Sequence, residues 1–175
     1  MKICFRSAES LMDGLCLVSP DLGFSIADES QADLILTVSN QDEDGFSLSL
    51  SGRCASISYR GRVRFFRALA VLLDRIRRGE SEFTLSESPL FSANGAMVDM
   101  SRNAVMNVET VCSMLRKMAL MGMNTFMLYT EDTYEVASRP YFGHMRGRYT
   151  REEIRTMDEY AQKLGIELID RKSVV

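Results

Sequence analysis

The sequence has 175 residues, of which 46% are hydrophobic and 26% charged, values that are ordinary for a globular protein of one domain or two small ones. A net charge of −3 and a pI near 5.3 give no electrostatic basis for binding nucleic acid or an anionic membrane surface. No run approaches the roughly 18 apolar residues that a membrane helix needs, and the N-terminal segment lacks the apolar stretch of a signal peptide. We therefore expect a cytoplasmic protein.

Few groups are available for a metal or redox centre. The single histidine, His144, excludes a site built from several histidines. The four cysteines are widely spaced and form no CxxC pair, so we expect reduced thiols rather than a zinc site or a disulfide framework. Each lies in an apolar context, where a free cysteine behaves as a small buried hydrophobe. They are Cys4, Cys16, Cys54 and Cys112.

Residues 1–88 have the pattern of a small α/β domain. A helix is predicted from Ala8 to Leu17 and a second from Gly61 to Arg78. Between them apolar residues occupy alternate positions in three short segments, with serine at the intervening positions of the last two; the segments are Ala32–Val38, Phe46–Leu50 and Ala55–Tyr59. Strict alternation gives a strand one buried and one solvated face and favours antiparallel hairpins. We interpret the region as a two-layer accessory domain, an antiparallel sheet with helices on one face.

Arginines are concentrated in and just before the second predicted helix, where they are mixed with apolar residues. This mixture is typical of the solvated face of an amphipathic helix, and we favour that interpretation over a nucleic-acid-binding patch. The arginines are Arg60, Arg62, Arg64, Arg67, Arg75, Arg77 and Arg78.

The second region, residues 89–175, follows a predicted linker at Ser86–Leu90 and alternates strand, helix, strand, helix and strand. The predicted strands are 96–100, 125–129 and 166–169. The two helices begin at the capping residues Asn107 and Thr150 and end at Gly122 and Gly165. Right-handed crossovers of this kind give a parallel sheet. The pattern predicts the first βαβαβ units of a (β/α)8 TIM barrel, which is incomplete because a whole barrel takes about 250 residues.

Arg102 lies just after the first strand of this region, in the segment Gly95–Ala104. Active-site groups of α/β barrels lie at the C-terminal ends of the strands. A guanidinium group is a planar fork that donates hydrogen bonds to neighbouring oxygens of a ligand. A structural ion pair with Asp99 or another neighbour is an equally good interpretation, and the sequence leaves both open.

The second strand ends in a polar segment, Tyr129–Glu135, that combines carboxylates, hydroxyls and aromatic rings. Proteins bind sugars with such groups, because carboxylates accept hydrogen bonds from hydroxyls and aromatic faces stack on pyranose rings. The candidate binding residues are Glu131, Asp132 and Tyr134, and the alternative is a polar surface loop. Glu131 and Asp132 point to opposite sides of an extended chain, so they are not the opposed acid and base of an ordinary glycosidase.

Several segments, in this order, resemble the start of the catalytic barrel of glycoside hydrolase family 20, the β-N-acetylhexosaminidases. They are GAMVDMSR (95–102), KMALMGMN (117–124), FMLYTED (126–132), YTREE (149–153) and YAQKLGIELI (160–169). The long loop between Tyr134 and Tyr149 is similar to that of bacterial intracellular-type members. Residues 1–88 are consistent with the accessory domain that precedes the barrel in this family.

The resemblance implies that Arg102 binds the hydroxyls of a terminal N-acetylglucosamine or N-acetylgalactosamine, and that no metal or organic cofactor is needed. The family uses a substrate-assisted retaining mechanism and is an exception to the two-carboxylate scheme. The 2-acetamido oxygen of the sugar attacks the anomeric carbon, an aspartate orients that group, and the neighbouring glutamate protonates the leaving oxygen.

The family's catalytic Asp–Glu pair follows the fourth barrel strand, whereas this sequence ends after the third begins. We therefore expect an N-terminal fragment of an exo-β-N-acetylhexosaminidase that contains no catalytic residue and is inactive alone. Its uncovered barrel edges are expected to favour self-association. The alternative is a non-catalytic α/β sugar-binding or interaction module.

Overall fold

The computed structural model describes residues 1–102 and 105–171, which form two compact units. The first comprises Met1–Ser92 and Ala119–Gly122, and the second holds the remaining described residues. The predicted α/β class is confirmed, with a six-stranded sheet in the first unit and a three-stranded parallel sheet in the second. The predicted domain boundary at residue 88 stays a prediction.

The first unit contains one sheet and two α-helices. Its strands are β1 (Lys2–Arg6), β2 (Ser25–Ile26), β3 (Leu34–Asn40), β4 (Gly45–Ser51), β5 (Cys54–Arg60) and β6 (Glu82–Glu87), and its helices are α1 (Met12–Leu22) and α2 (Arg62–Arg77). The strand order is β2-β1-β3-β5-β4-β6. The predicted linker at Ser86–Leu90 therefore starts too early, because Ser86 and Glu87 pair with β4.

The prediction that this sheet is antiparallel is correct only for its β5-β4-β6 part. Strands β1, β3 and β5 run parallel, as does the short β2. The acidic segment after Asn40 does not close a hairpin, because β4 lies beyond β5 rather than beside β3. Alternation of apolar and polar residues indicates which face of a strand is exposed to solvent, but it does not indicate whether the neighbouring strand runs parallel or antiparallel.

The two faces of the sheet differ sharply in polarity. Leu36, Leu50 and Ile57 are buried on one face, where α2 packs on β4 and β5. The opposite face carries serine hydroxyls, with Ser39 bonded to Ser58 and Ser49 to Ser56 across strands. This arrangement is the two-layer sandwich that the serine alternation predicts.

Two expectations about side chains in this unit are wrong. Arg64 is not on a solvated helix face: only 8% of it is exposed, and its Nε lies 3.3 Å from Asp44 Oδ1. The cysteines are not uniformly buried, since Cys16 and Cys54 are exposed. In each case an apolar sequence neighbourhood does not determine which side of a sheet or helix the residue occupies.

The first helix is displaced from its predicted span of Ala8–Leu17 and runs through Pro20 to Leu22. Proline lacks the N–H that would bond the carbonyl four residues earlier. The Ser19 hydroxyl donates to that carbonyl, Cys16 O, at 3.1 Å. Its bond compensates for the missing donor, so the helix continues to a left-handed cap at Gly23.

The second unit has the predicted order of elements. They are β7 (Gly95–Asp99), α3 (Val108–Met121), β8 (Thr125–Tyr129), α4 (Arg151–Leu164) and β9 (Glu167–Arg171). Both strand pairs are parallel, in the order β7-β8-β9. A Cβ on Gly95 would lie 1.7 Å from the Thr125 carbonyl oxygen, so glycine is required for this close approach of β7 to β8.

The predicted caps are present. Asn107 Oδ1 accepts from the Thr110 N–H at 2.8 Å, and Thr150 and Glu153 form a reciprocal capping box at the start of α4. Gly165 ends α4 in the left-handed conformation. Across the residues that the structure describes, no helix has the length and apolarity to cross a membrane.

Candidate sugar-binding site

The strand register brings polar residues together at the carboxyl ends of the parallel sheet. Asp99, Tyr129 and Arg171 are paired across β7, β8 and β9 and therefore share one face of the sheet. Arg102 follows β7, and Glu131 follows β8. Parallel pairing thus assembles a site from residues that are far apart in sequence.

Arg102 is anchored at both ends of its guanidinium group. Nη1 donates to Asp99 Oδ2 at 2.5 Å, and Nη2 donates to the Tyr129 hydroxyl at 3.2 Å. The Cζ atom lies 4.8 Å from the centroid of the Tyr129 ring, a cation–π contact. The side chain nevertheless remains 60% exposed. The structural ion pair and an accessible guanidinium therefore coexist.

Asp99 holds the loop that carries Arg102. Its Oδ1 accepts from the Ser101 N–H and hydroxyl, both at 2.8 Å, and from the Arg102 N–H at 3.2 Å. These bonds, first those from Ser101 and then those from Arg102, hold the pKa of Asp99 well below its usual range. In turn the hydrogen bond to Asp99 raises the pKa of Arg102. Both side chains are charged at any physiological pH.

Glu131 belongs to the same cluster. Its Oε1 accepts from the Tyr129 hydroxyl at 2.8 Å and lies 3.7 Å from Arg102 Nη2. The residue has a φ of 51°, in the left-handed region that few side chains adopt. The backbone turns at this point. This turn, rather than the alternation of side chains along an extended strand, directs Glu131 towards Arg102.

The other two predicted residues make different contacts. Asp132 Oδ1 is inaccessible to solvent and lies 3.6 Å from Arg146 Nη2, beyond hydrogen-bonding distance. The Tyr134 ring packs edge-on against Phe142, with centroids 5.3 Å apart. The structure therefore brings Arg102 and Glu131 together, while Asp132 and Tyr134 contact the long loop that follows β8.

Tyr149 fastens the far end of this loop. Its hydroxyl donates to Met106 O at 2.5 Å, and its backbone N–H donates to Thr133 O at 3.0 Å. Only 3% of the residue is exposed, and burial, followed by the nearby Glu153 carboxylate, raises the pKa of Tyr149 to about 12. His144, in the same loop, is exposed and touches Tyr141 edge-on, as expected of a surface residue.

A separate cavity of about 530 Å³ lies between α4 and the ends of β8 and β9. The Thr130 hydroxyl donates to Asp170 Oδ1 at 2.5 Å in its lining. The cavity is also lined by Leu128, Tyr134, Tyr149, Arg151, Ile154, Arg155, Asp158 and Leu168. Of the four predicted binding residues it includes only Tyr134.

The sequence analysis did not assign a role in the site to Tyr129, and it treated Asp99 only as a possible ion-pair partner. The signal for both was their position, since each is the last residue of its strand and they are paired in register. Among the described residues there is no group of three or more histidine, cysteine or acidic side chains suited to a metal ion.

No protein-family model and no curated protein matches the sequence, whereas solved structures match over 97% of the chain. A GH20 exo-β-N-acetylglucosaminidase of Vibrio harveyi, in complex with N-acetylglucosamine, matches with a TM-score of 0.78 at 22% identity. A chitobiase of Flavobacterium johnsoniae matches with a TM-score of 0.71 at 22% identity. A mutant β-hexosaminidase of Streptomyces plicatus, in complex with its product N-acetylglucosamine, matches with a TM-score of 0.74 at 18% identity.

The chain has a GH20-like fold. It covers 32%, 30% and 40% of the Vibrio, Flavobacterium and Streptomyces proteins, respectively, and thus spans well under half of their length. At these identities the similarity establishes the fold, and the roles of individual side chains rest on the contacts described above.

Proposed function

We propose that the chain is the N-terminal part of an exo-β-N-acetylhexosaminidase, which removes terminal N-acetylglucosamine or N-acetylgalactosamine from glycans. Residues 1–88 would be the accessory domain, and residues 89–175 would supply the first strands of the barrel. The GH20-like fold supports this assignment, as do the ordered segments that resemble the family. Two of the matched proteins hold N-acetylglucosamine, which makes a carbohydrate the best-supported ligand class.

The observation that carries the proposal is that Arg102 and Glu131 lie side by side at the strand ends, with 3.7 Å between Nη2 and Oε1. Contacts with described residues occupy two of the five N–H donors of Arg102 and only Oε1 of Glu131. Accessible donors therefore lie beside a carboxylate acceptor, and neighbouring sugar hydroxyls need both. We assign Arg102 and Glu131 to direct contact with the sugar.

Asp132 and Tyr134 complete the proposed binding set from the loop side. Asp132 lies beside Arg146, and Tyr134 lies against Phe142, so both tie the long loop to the turn at Glu131. Their assigned role is to fix that turn and border the sugar.

In this proposal the chain binds the sugar and does not cleave it. The family resemblance puts the aspartate that orients the 2-acetamido group, and the glutamate that protonates the leaving oxygen, after a fourth strand. The 175 residues would supply hydroxyl recognition, and the substrate-assisted displacement would require those two further carboxylates.

The proposal is tested by titrating the ¹⁵N-labelled 175-residue chain with N-acetylglucosamine and following amide shifts. Removal of a charged hydrogen bond costs about 1.5–3 kcal/mol, so Arg102→Ala is expected to weaken binding roughly 10- to 100-fold. The matched control is Arg155→Ala, because Arg155 forms a similar exposed ion pair three residues from its partner, Glu152.

The control also separates the two candidate locations. Arg155 lines the 530 Å³ cavity, whereas Arg102 does not. Weakening by Arg155→Ala alone would move the sugar to the cavity and contradict the assignment to Arg102. Absence of any saturable shift in the unsubstituted chain would contradict sugar binding by these residues altogether.

A further inference from the structure

We propose that Tyr129 is a positioning residue that holds Arg102 and Glu131 apart, so that both remain available to a sugar hydroxyl. This inference rests on the proposed function, because it concerns the same site. It assigns Tyr129 no contact with the sugar itself.

The first argument is the number of contacts that Tyr129 makes with Arg102. The ring lies beneath the guanidinium, with 4.8 Å from Cζ to the centroid, and the hydroxyl accepts from Nη2 at 3.2 Å. The stacking fixes the plane of the guanidinium, and the hydrogen bond fixes its rotation within that plane. Together with the Asp99 bond to Nη1, they leave an exposed arginine in a single orientation.

The second argument is the direction of the hydrogen bonds at the Tyr129 hydroxyl. A phenol has one proton to donate, and this one goes to Glu131 Oε1 at 2.8 Å, while the oxygen accepts from Arg102. The hydroxyl therefore bridges a cation and an anion whose own nearest atoms are 3.7 Å apart.

Removal of this bridge would change what Arg102 and Glu131 bind. A guanidinium and a carboxylate pair directly through short charge-assisted hydrogen bonds when nothing intervenes. A direct, two-pronged pair would consume further N–H donors of Arg102 and the second oxygen of Glu131, which are the groups assigned to the sugar. Tyr129 prevents this closure because its hydroxyl bonds one N–H of Arg102 and one oxygen of Glu131 and stands between the two side chains.

The third argument is the position of Tyr129 in the backbone. Arg102 and Glu131 lie in the segments after their strands, whereas Tyr129 is the last residue of β8 and is in register with Asp99. Its carbonyl accepts from the Met100 N–H at 2.9 Å. The sheet thus sets the position of the ring, and the ring sets the position of the two side chains that lie outside the strands.

Two substitutions separate the ring from the hydroxyl. Tyr129→Phe keeps the stacking surface and removes the bridge, whereas Tyr129→Leu removes both. Tyr160→Phe is the matched control, because the Tyr160 hydroxyl also accepts from an arginine, Arg116 Nη1, at 2.9 Å but lies between α3 and α4. Amide spectra of each variant report whether the fold is retained.

Two measurements are made on each protein. Side-chain ¹⁵N relaxation of the Arg102 Nε–Hε group reports the order of the guanidinium without any ligand. N-acetylglucosamine titration reports the affinity. We expect a rigid Arg102 in the unsubstituted chain, about tenfold weaker sugar binding in Tyr129→Phe, and a mobile Arg102 with still weaker binding in Tyr129→Leu. Tyr160→Phe should change neither quantity.

The outcomes distinguish this inference from the proposed function. An Arg102 side chain that is mobile in the unsubstituted chain, or equally ordered in Tyr129→Leu, overturns the positioning role. Unchanged affinity in Tyr129→Phe overturns the bridge. A rigid Arg102 that loosens in Tyr129→Leu, in a chain that binds no sugar, supports the positioning role and contradicts the proposed function instead.

Discussion

The Asp99 carboxylate, at the last residue of β7, and the Arg102 guanidinium, in the loop that follows, form a 2.5 Å ion pair. The other oxygen of Asp99 simultaneously accepts from the Ser101 N–H, the Ser101 hydroxyl and the Arg102 N–H. One side chain therefore fixes both the path of the loop and the direction of the arginine. In the proposed function this order reduces the entropy lost on binding, because Arg102 already has its position without a ligand.

This arrangement predicts how Asp99 titrates. Because its folded pKa lies below the ordinary value of 3.8 for an aspartate, Asp99 stabilises the fold fully above pH 3.8, and that contribution is lost as the pH falls through the lower folded value. We expect the ¹³Cγ shift of Asp99 to remain that of a carboxylate at pH 3.8.

A normal titration of Asp99, half complete near pH 3.8, would contradict the hydrogen bonding seen in the loop. The substitution Asp99→Asn provides an independent test of the Asp99–Arg102 ion pair. It retains one side-chain oxygen acceptor but removes the charge, so the pairing with Arg102 should weaken and the N-acetylglucosamine affinity should fall.

The second unit was predictable because its local signals agree with one another. The sequence predicts helix caps at Asn107, Thr150 and Gly165, and the structure has all three. The continuous apolar run at Thr125–Tyr129 predicts a strand covered on both faces, as in a parallel sheet, and β8 is the middle strand of the parallel sheet. Each signal depends on a few adjacent residues, and the parallel order then follows from right-handed crossovers.

The first unit and the site geometry were less accessible to sequence reasoning, for physical reasons. Serine alternation identified the wet face of the sheet but not the parallel pairing of β3 with β5. The contact between Arg102 and Glu131 depends on strand register and on a left-handed residue, φ 51° at Glu131. Neither register nor a positive φ on a glutamate has a signature in residue type.

Tyr149 provides a prediction about the loop that follows β8. Tyr149→Phe would leave the Met106 carbonyl without its donor, at a cost of about 1–3 kcal/mol in the free energy of unfolding. Urea denaturation measures this cost, and Tyr141→Phe, at an exposed residue of the same loop, is the control. Equal stability of the two variants would contradict a structural role for the Tyr149 hydroxyl.

The raised pKa of Tyr149 gives the same residue a pH dependence. Its folded pKa is about 12, against an ordinary value of 10.0 for a tyrosine. The resulting stabilisation is fully present below pH 10 and is lost as the pH rises from 10 towards 12, because the unfolded chain releases the proton first. In Tyr149→Phe this component of the alkaline loss should be absent, as measured by urea denaturation at several pH values.

The proposed function leads to a prediction about turnover, because it assigns sugar binding and no catalytic carboxylate to these 175 residues. We expect the purified 175-residue chain to release no measurable chromophore from a chromogenic N-acetyl-β-glucosaminide, even where N-acetylglucosamine binding is detected. Arg102→Ala and Arg155→Ala distinguish genuine turnover from a contaminating enzyme. Activity that survives rigorous purification and disappears only in Arg102→Ala would show that the chain contains its own catalytic groups.

The exposed face of the parallel sheet leads to a prediction of self-association. Met97, Met127 and Ile169 are paired across β7, β8 and β9 and share that face, where Met97 is 60% exposed. Burial of a methionine side chain stabilises an interface by about 1.5–3 kcal/mol. We therefore expect the chain to self-associate reversibly, and Met97→Ser to raise the dissociation constant by roughly tenfold or more. Sedimentation velocity over a concentration series measures both.

Met145→Ser is the control, because Met145 is still more exposed but lies in the loop after β8. A monomer at every concentration, or equal effects of the two substitutions, would mean that this face is not the surface through which copies associate.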